Sequence, residues 1–362
     1  MLGIQERSAS WTRALALGSL ILALPCAGYA DNITDLMERG RWKDARAAVA
    51  TLEPGKARTW YLQSRVQLAF DKSEEALASA ERAVALEPGN AAYHEQLSEV
   101  CGTMAQHAGK LKAFGLARRV RKEAERAIAL DRKQVDAREV LVDFFWLAPG
   151  IIGGDKNKAA SLAVEIARLS PVRGAITQAN LAMRAKAESR AESLYLRALE
   201  IDPASYGARL ALARLYASDA RNRWDLAEKQ ARAAMVSDPG RSGAYSVLAA
   251  VFAHGQRWDD LDAVLMESTR RAPGNLTPQY QAARVLLAEH RDSLRAERYL
   301  RQYLGAETEG GAPSFARARW RLGQALERQG RKSEAIAEVE AAVKMDPSFE
   351  EAKKDLKRMK RG

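Results

Sequence analysis

The chain has 362 residues, with 57 Lys plus Arg against 46 Asp plus Glu and a formal net charge of +11 at pH 7. That length suits two or three globular domains or one elongated array. Two cysteines exclude a disulfide-framed fold, and aromatics at 7% with Ala and Leu dominant argue for helix throughout.

Taken in order, the chain opens on Arg7 and Arg13, an apolar run from Ala14 to Leu24, Pro25, and the small-residue site Gly28-Tyr29-Ala30. This is the layout of a secretory leader over residues 1–30, which predicts export, with the periplasm as the favoured compartment. The rival is an uncleaved membrane anchor, for which the run is short. Cys26 follows Pro25, a poor setting for lipid attachment. Loss of the leader leaves Cys101 alone, so no intramolecular disulfide is expected, and Cys101 falls at a core position as a small buried hydrophobe.

Beyond the leader a ladder of prolines recurs on a beat of about 34 residues: Pro54, Pro88, Pro171, Pro203, Pro239, Pro273 and Pro347. Each is read as closing a helix, since proline cannot continue one. Residues 31–54 form a partial opening unit. Units then follow over 57–88, about 91–132, 135–171, 172–203, 206–239, 242–273 and 276–307. The third is lengthened between Gly102 and Leu116, and the fifth has a weak first helix. The Gly310-Gly311 pair marks a flexible joint over 305–315. Residues 316–347 give the clearest unit: Leu322, Gly323 and Leu326 on one helix, Gly330 at the turn, then Ala335, Val339, Ala342 and Pro347. Phe349 to Lys360 forms a last helix, acidic first and basic last, with Phe349, Ala352, Leu356 and Met359 on one stripe.

Counted from Ala316 as position 1, this spacing of Leu at 7, Gly at 8, Ala at 20 and 27 and Pro at 32 resembles the tetratricopeptide repeat, and the resemblance covers residues 31–360. It implies an all-α, right-handed α-solenoid of helix-turn-helix units with a C-terminal capping helix. The domains expected are a leader 1–30, a solenoid 31–304, a Gly-rich joint 305–315, and a final repeat with its cap 316–362. The resemblance also implies a non-enzymatic scaffold that binds a partner protein or peptide in a concave groove lined by first helices. Mapped onto this chain, the early groove holds Glu95, Glu99, Asp136, Glu139, Asp143 and Trp146, and the late groove Arg214, Tyr280, Arg284, Arg317, Trp320 and Arg328. The early half is thus expected to be acidic and the late half basic and aromatic. The Lys and Asn set of the family's carboxylate-clamp form is not reproduced.

Other motifs are sparse. His94, His107, His254 and His290 show no HExxH spacing, no Gly-x-Ser-x-Gly elbow is present, and Gly153-Gly154-Asp155-Lys156 lacks the spacing of a phosphate loop. No catalytic set, cofactor or metal is expected, and His94 is read as an ordinary amphipathic side chain. The apolar turn of the fourth unit, Pro149, Gly150, Ile151 and Ile152, is a candidate docking loop; the alternative is that both isoleucines fold back onto the solenoid. Two basic runs, Lys110 to Arg126 and Lys353 to Arg361, are read as solubilising faces. Their alternative partner is an anionic glycan or lipid surface, which fits an exported protein better than nucleic acid.

Overall fold

The computed structural model describes residues 26–218 and 221–361, with side chains from residue 32 onward. The expected leader, 1–30, lies outside the described residues except for the backbone of 26–30, which opens the first helix. Among the described residues there are nineteen α-helices and no strand. They run in antiparallel pairs: α1 (Cys26–Glu38) with α2 (Trp42–Val49), α3 (Ala57–Ala69) with α4 (Ser73–Leu86), and α5 (Ala91–His107) with α6 (Lys110–Leu130). Next come α7 (Val135–Leu147) with α8 (Lys156–Leu169), α9 (Pro171–Arg184) with α10 (Glu188–Ile201), and α11 (Tyr206–Tyr216) with α12 (Trp224–Ser237). The series ends with α13 (Ser242–His254) and α14 (Trp258–Arg271), α15 (Thr277–Ala288) and α16 (Ser293–Leu304), α17 (Phe315–Arg328) and α18 (Lys332–Met345), and the single helix α19 (Glu350–Arg361). Each pair packs on the next, so the molecule is an α-solenoid whose core is a continuous seam of alanines and leucines.

The turn inside a unit has one recurrent design. Gly40, Asp71, Lys186, Gln256, His290 and Gly330 all take positive φ, between 54° and 77°. The residue after each donates its backbone N–H to a carbonyl five positions back: Arg41 to Leu36, Lys72 to Gln67, Ala187 to Ala182, Arg257 to Phe252, Arg291 to Leu286 and Arg331 to Leu326, at 2.8–3.0 Å. This is the Schellman closure, which satisfies the last carbonyls of the first helix. Four of these six left-handed residues are not glycine, so sequence inspection finds only Gly40 and Gly330.

Three units depart from it. In the sixth, Asn222 takes the positive φ and Arg223 donates its N–H to Tyr216 O, seven positions back, at 2.8 Å. The lengthening expected between Gly102 and Leu116 is helix rather than loop: α5 continues to His107 and α6 starts at Lys110 and runs 21 residues. In the fourth unit a 3-10 turn over Gly150–Ile152 is inserted, closed by Asp155 N–H to Phe145 O at 2.8 Å. Gly154 is required there, because a Cβ would lie 1.7 Å from the Ala148 carbonyl oxygen.

Pro171 follows the end of α8 by two residues, as Pro203 follows α10, and it also occupies the first turn of α9, where a missing N–H costs nothing. Ser170 alone separates α8 from α9, and a Cβ on Gly174 would sit 2.2 Å from Ala167 Cα, so the two helices meet at an unusually close corner. That corner, together with a complete fourteen-residue α9, replaces the weak helix read from sequence. At the far end α19 lays Phe349, Ala352 and Met359 onto the last pair, all buried, while its charges face outward.

The solenoid also meets itself. Helix α2 has no side-chain cap of its own. Glu309, from the loop after α16, supplies one, with Oε2 accepting from Lys43 N–H at 2.9 Å. Lys43 Nζ donates to the carbonyls of Gly274 (3.2 Å) and Glu307 (3.0 Å), and Arg46 pairs with Glu307 at 2.8 Å. Gly311 N–H donates to Ala69 O at 2.8 Å. A Cβ on Gly310 would lie 2.8 Å from both Trp42 Cγ and Ala69 Cβ. The stretch expected to be a flexible joint is therefore the place where the first units dock on the late ones, and Gly310 serves close approach rather than freedom.

Candidate binding surface

The inner face is built by the first helix of each pair. Within it α13 is buried over every residue from Ala244 to Ala253 and packs closely on α15.

In the early part, α5 presents Glu95 and Glu99 one turn apart. Glu95 is half-buried and Glu99 exposed, yet both lie deep between the walls of the solenoid. Burial, with the neighbouring carboxylates Glu99 and Asp136, pushes the Glu95 carboxyl up to about 8; burial also raises Glu99. Neither has a cation within ion-pair distance among the described residues. The remaining acidic residues are satisfied. Arg173 of α9 pairs with Asp136 and, at 2.6 Å, with Glu139, which also accepts from Thr177. Asp143 pairs with Arg184 at 2.7 Å. Trp146 is half-buried, with Lys156 Nζ 5.0 Å from its ring centroid.

A stability consequence follows. The folded-state proton affinity of Glu95 exceeds the ordinary carboxylate value, so its contribution to stability is full below about pH 4.5 and is lost as pH rises to about 8. Replacing Glu95 with Gln is expected to leave stability unchanged near pH 4.5 and to raise it by about 1–2 kcal/mol at pH 8, the figure being reduced for partial water access. Urea midpoints at the two pH values measure this; an equal difference at both would contradict it.

The late surface is basic but less aromatic than its sequence suggests. Tyr280 is buried, its ring 5.4 Å from that of Tyr303, and its hydroxyl accepts from Arg321 Nε at 3.2 Å. Trp320 faces the capping helix, donating Nε1–H to Asp355 at 2.8 Å with its ring against Phe349. Arg284 donates to Gln281 at 2.8 Å. Arg214, Arg317 and Arg328 are exposed, with no carboxylate within ion-pair distance among the described residues; Arg317 lies over the Phe349 ring at 5.2 Å.

Arg173 escaped the sequence assignment because the fifth unit's first helix looked weak and no inner residues were given to it. Applying the same positional rule to 172–203 finds it at position 2. The candidate docking loop lies on the turn edge, away from the inner face. There Ile152 packs against the core, as the fold-back alternative expects, but Ile151 is 86% exposed.

His94 is not an ordinary amphipathic residue. It is buried, with Nδ1 2.6 Å from Glu123 Oε2 and Nε2 3.0 Å from Pro88 O. A carbonyl only accepts, so Nε2 is the donor to Pro88 O, which fixes the ring between that carbonyl and Glu123. Cys101 is buried and its thiol is pushed up to about 11 by burial, which makes it a poor nucleophile. Among the described residues no group of three or more His, Cys, Asp or Glu could hold a metal ion, and no helix is long and apolar enough to cross a membrane.

The stacked helix pairs, with side chains presented along an inner curve, define a helical-repeat scaffold. Residues 280–348 match the tetratricopeptide repeat family model, and the chain as a whole carries the tetratricopeptide-repeat solenoid fold. The yeast Tom70 crystal structure is similar over 92% of this chain and 87% of its own, at 14% identity and a TM-score of 0.50. The human IFIT1 dimer with PPP-AAAA is similar over 92% and 82%, at 13% identity and a TM-score of 0.50. A monomeric IFIT1 mutant with m7Gppp-AAAA is similar over 92% and 80%, at 13% identity and a TM-score of 0.53. These likenesses are of fold. A comparison with curated protein sequences returned no match.

Proposed function

We propose that this protein is a non-enzymatic scaffold that holds an extended segment of a partner protein along its inner face. The observation that carries this is the charge left unpaired there. The solenoid pairs most of its surface ions internally, yet it leaves Arg214, Arg317 and Arg328 open on the late inner surface, and on the early one Glu95 and Glu99 without a cation, whose ionised forms a basic partner would favour. Charges held open on a rigid curve favour a partner segment of opposite sign, and a receptor already ordered loses little entropy on binding. An acidic segment suits the late surface and a basic one the early surface. The leader-like sequence over 1–30 supports an exported partner, with the periplasm as the proposed compartment.

The test is a photocrosslinking amino acid placed at Arg328, and separately at Lys332 on the outer helix α18, in cells that produce the protein. A discrete protein adduct from position 328 that is absent from position 332 supports the proposal, as does its loss in an Arg214→Glu, Arg317→Glu background. Equal labelling from both positions, or none, overturns it.

A further inference from the structure

Two of the three units without the common turn, the third and the fourth, are adjacent, and both project apolar side chains into solvent. The buried Val120, Ala124 and Ala127 of α6 match Ala159, Ala163 and Ile166 of α8 in the core layers. That register gives α6 two extra turns at its start, on the edge that also carries the inserted 3-10 turn, against which α6 packs. Leu111 is 91% exposed and Ile151 is 86% exposed, with Phe114 on the same overhang. Isolated exposed leucines are common, but two nearly bare aliphatic tips on the turn edge of adjacent units are not explained by core packing.

The surrounding charge is cationic. Lys110, Arg118, Lys122 and Lys156 have no carboxylate within ion-pair distance among the described residues. The acidic groups nearby are engaged: Glu74 with Lys112 at 2.7 Å, Glu125 with Arg121 at 2.7 Å, Glu75 with Lys72 at 3.6 Å, and Asp155 as the cap of α8. Along α6 Arg118 and Lys122 lie behind the apolar tip, Arg118 about 10 Å from Leu111 at 1.5 Å rise per residue, and Lys110 at the tip itself can extend its long stem back to the headgroups. An apolar side chain 5–10 Å into a bilayer leaves a cation at that distance level with the phosphates.

We propose that this edge, the α5–α6 tip together with the 150–152 turn, is a docking surface for an anionic phospholipid bilayer. Leu111, Phe114 and Ile151 enter the acyl boundary, and Lys110, Arg118, Lys122 and Lys156 meet the headgroups. The site is distinct from the inner surface and leaves it free, so the solenoid can hold a partner while seated on a membrane.

Hydrogen exchange of the full chain with vesicles tests this directly, because it separates the edge from any contribution of residues 1–30. Vesicles containing phosphatidylglycerol are expected to protect amides over 108–115 and 149–153, whereas pure phosphatidylcholine vesicles are not, and moderate salt weakens the protection. The Leu111→Ser, Ile151→Ser double variant should bind anionic vesicles about tenfold more weakly than a Leu294→Ser control, since each aliphatic tip contributes burial energy only at the bilayer. Leu294 is 69% exposed on α16, and none of the three positions supports the core. No vesicle binding, protection confined to the first thirty residues, or equal binding of the double and control variants would each overturn the assignment.

Discussion

Replacing Gly323 with Val is expected to cost about 3 kcal/mol and to unfold the C-terminal end of the solenoid first. On α17 this glycine faces α18 so closely that a Cβ would lie 2.4 Å from Val339 Cγ2 and 2.9 Å from the Ala335 carbonyl oxygen. Neither neighbour can give way cheaply: one is buried at the seam and the other is backbone. The helix propensity gained on leaving glycine offsets only about 0.5–1 kcal/mol. Because α17 to α19 pack chiefly on one another and on α15 and α16, the damage should be local, with amides over 316–360 losing exchange protection while those of α5 to α8 keep theirs. Gly330 is the useful contrast. Nothing lies within 4 Å of its would-be Cβ, and the cost of Gly330→Ala comes only from φ +77°, about 1 kcal/mol. Equal effects at the two positions would show that Gly323 is not a packing site.

Replacing Glu309 with Ala should release the first units from the late ones. The carboxylate is buried and caps α2, an eight-residue helix with no cap of its own. Its removal leaves helix N–H groups without an acceptor in a dry contact, which costs about 1–3 kcal/mol. Amides over 42–46 and 309–312 should then exchange about ten- to a hundredfold faster, with an increase in radius of gyration by small-angle scattering. Burial raises the Glu309 carboxyl, opposed by the Lys43 N–H it accepts from, so the charged form is held at some expense. By the same linkage that governs Glu95, this expense disappears on acidification, while the cap weakens as the carboxylate is neutralised. Glu309→Gln keeps an acceptor and should fall between wild type and Glu309→Ala; unchanged exchange in both variants would mean that the contact does not hold the ends together.

Much of the fold was legible in residue spacing. Pro54, Pro88, Pro171, Pro203, Pro239, Pro273 and Pro347 each follow the end of a second helix, and Gly323, Ala335 and Ala342 lie on the seam where the periodicity put them. The left-handed turn residues were mostly illegible, because Asp71, Lys186, Gln256 and His290 carry no local sign of a conformation that the tertiary closure imposes. Within the inner surface, the positions of Glu95, Glu99, Arg214, Arg317 and Arg328 could be counted from the repeat. That Tyr280 and Trp320 turn to the core and cap, and that Arg173 neutralises Asp136 and Glu139, could not. Those outcomes depend on the neighbouring unit, not on the residue's own place in its helix.

By itself the sequence determined the array of paired helices, since the amphipathic stripe, the small seam residues and the closing prolines are local signals repeated along the chain. Only the tertiary structure decided that Glu309 caps a helix 266 residues away, that Gly310 lies against Trp42 and Ala69, and that Leu111 and Ile151 both stand bare. The physical reason is accumulation: a small rotation at each repeat, invisible in any one unit, fixes which distant surfaces meet and which remain in water.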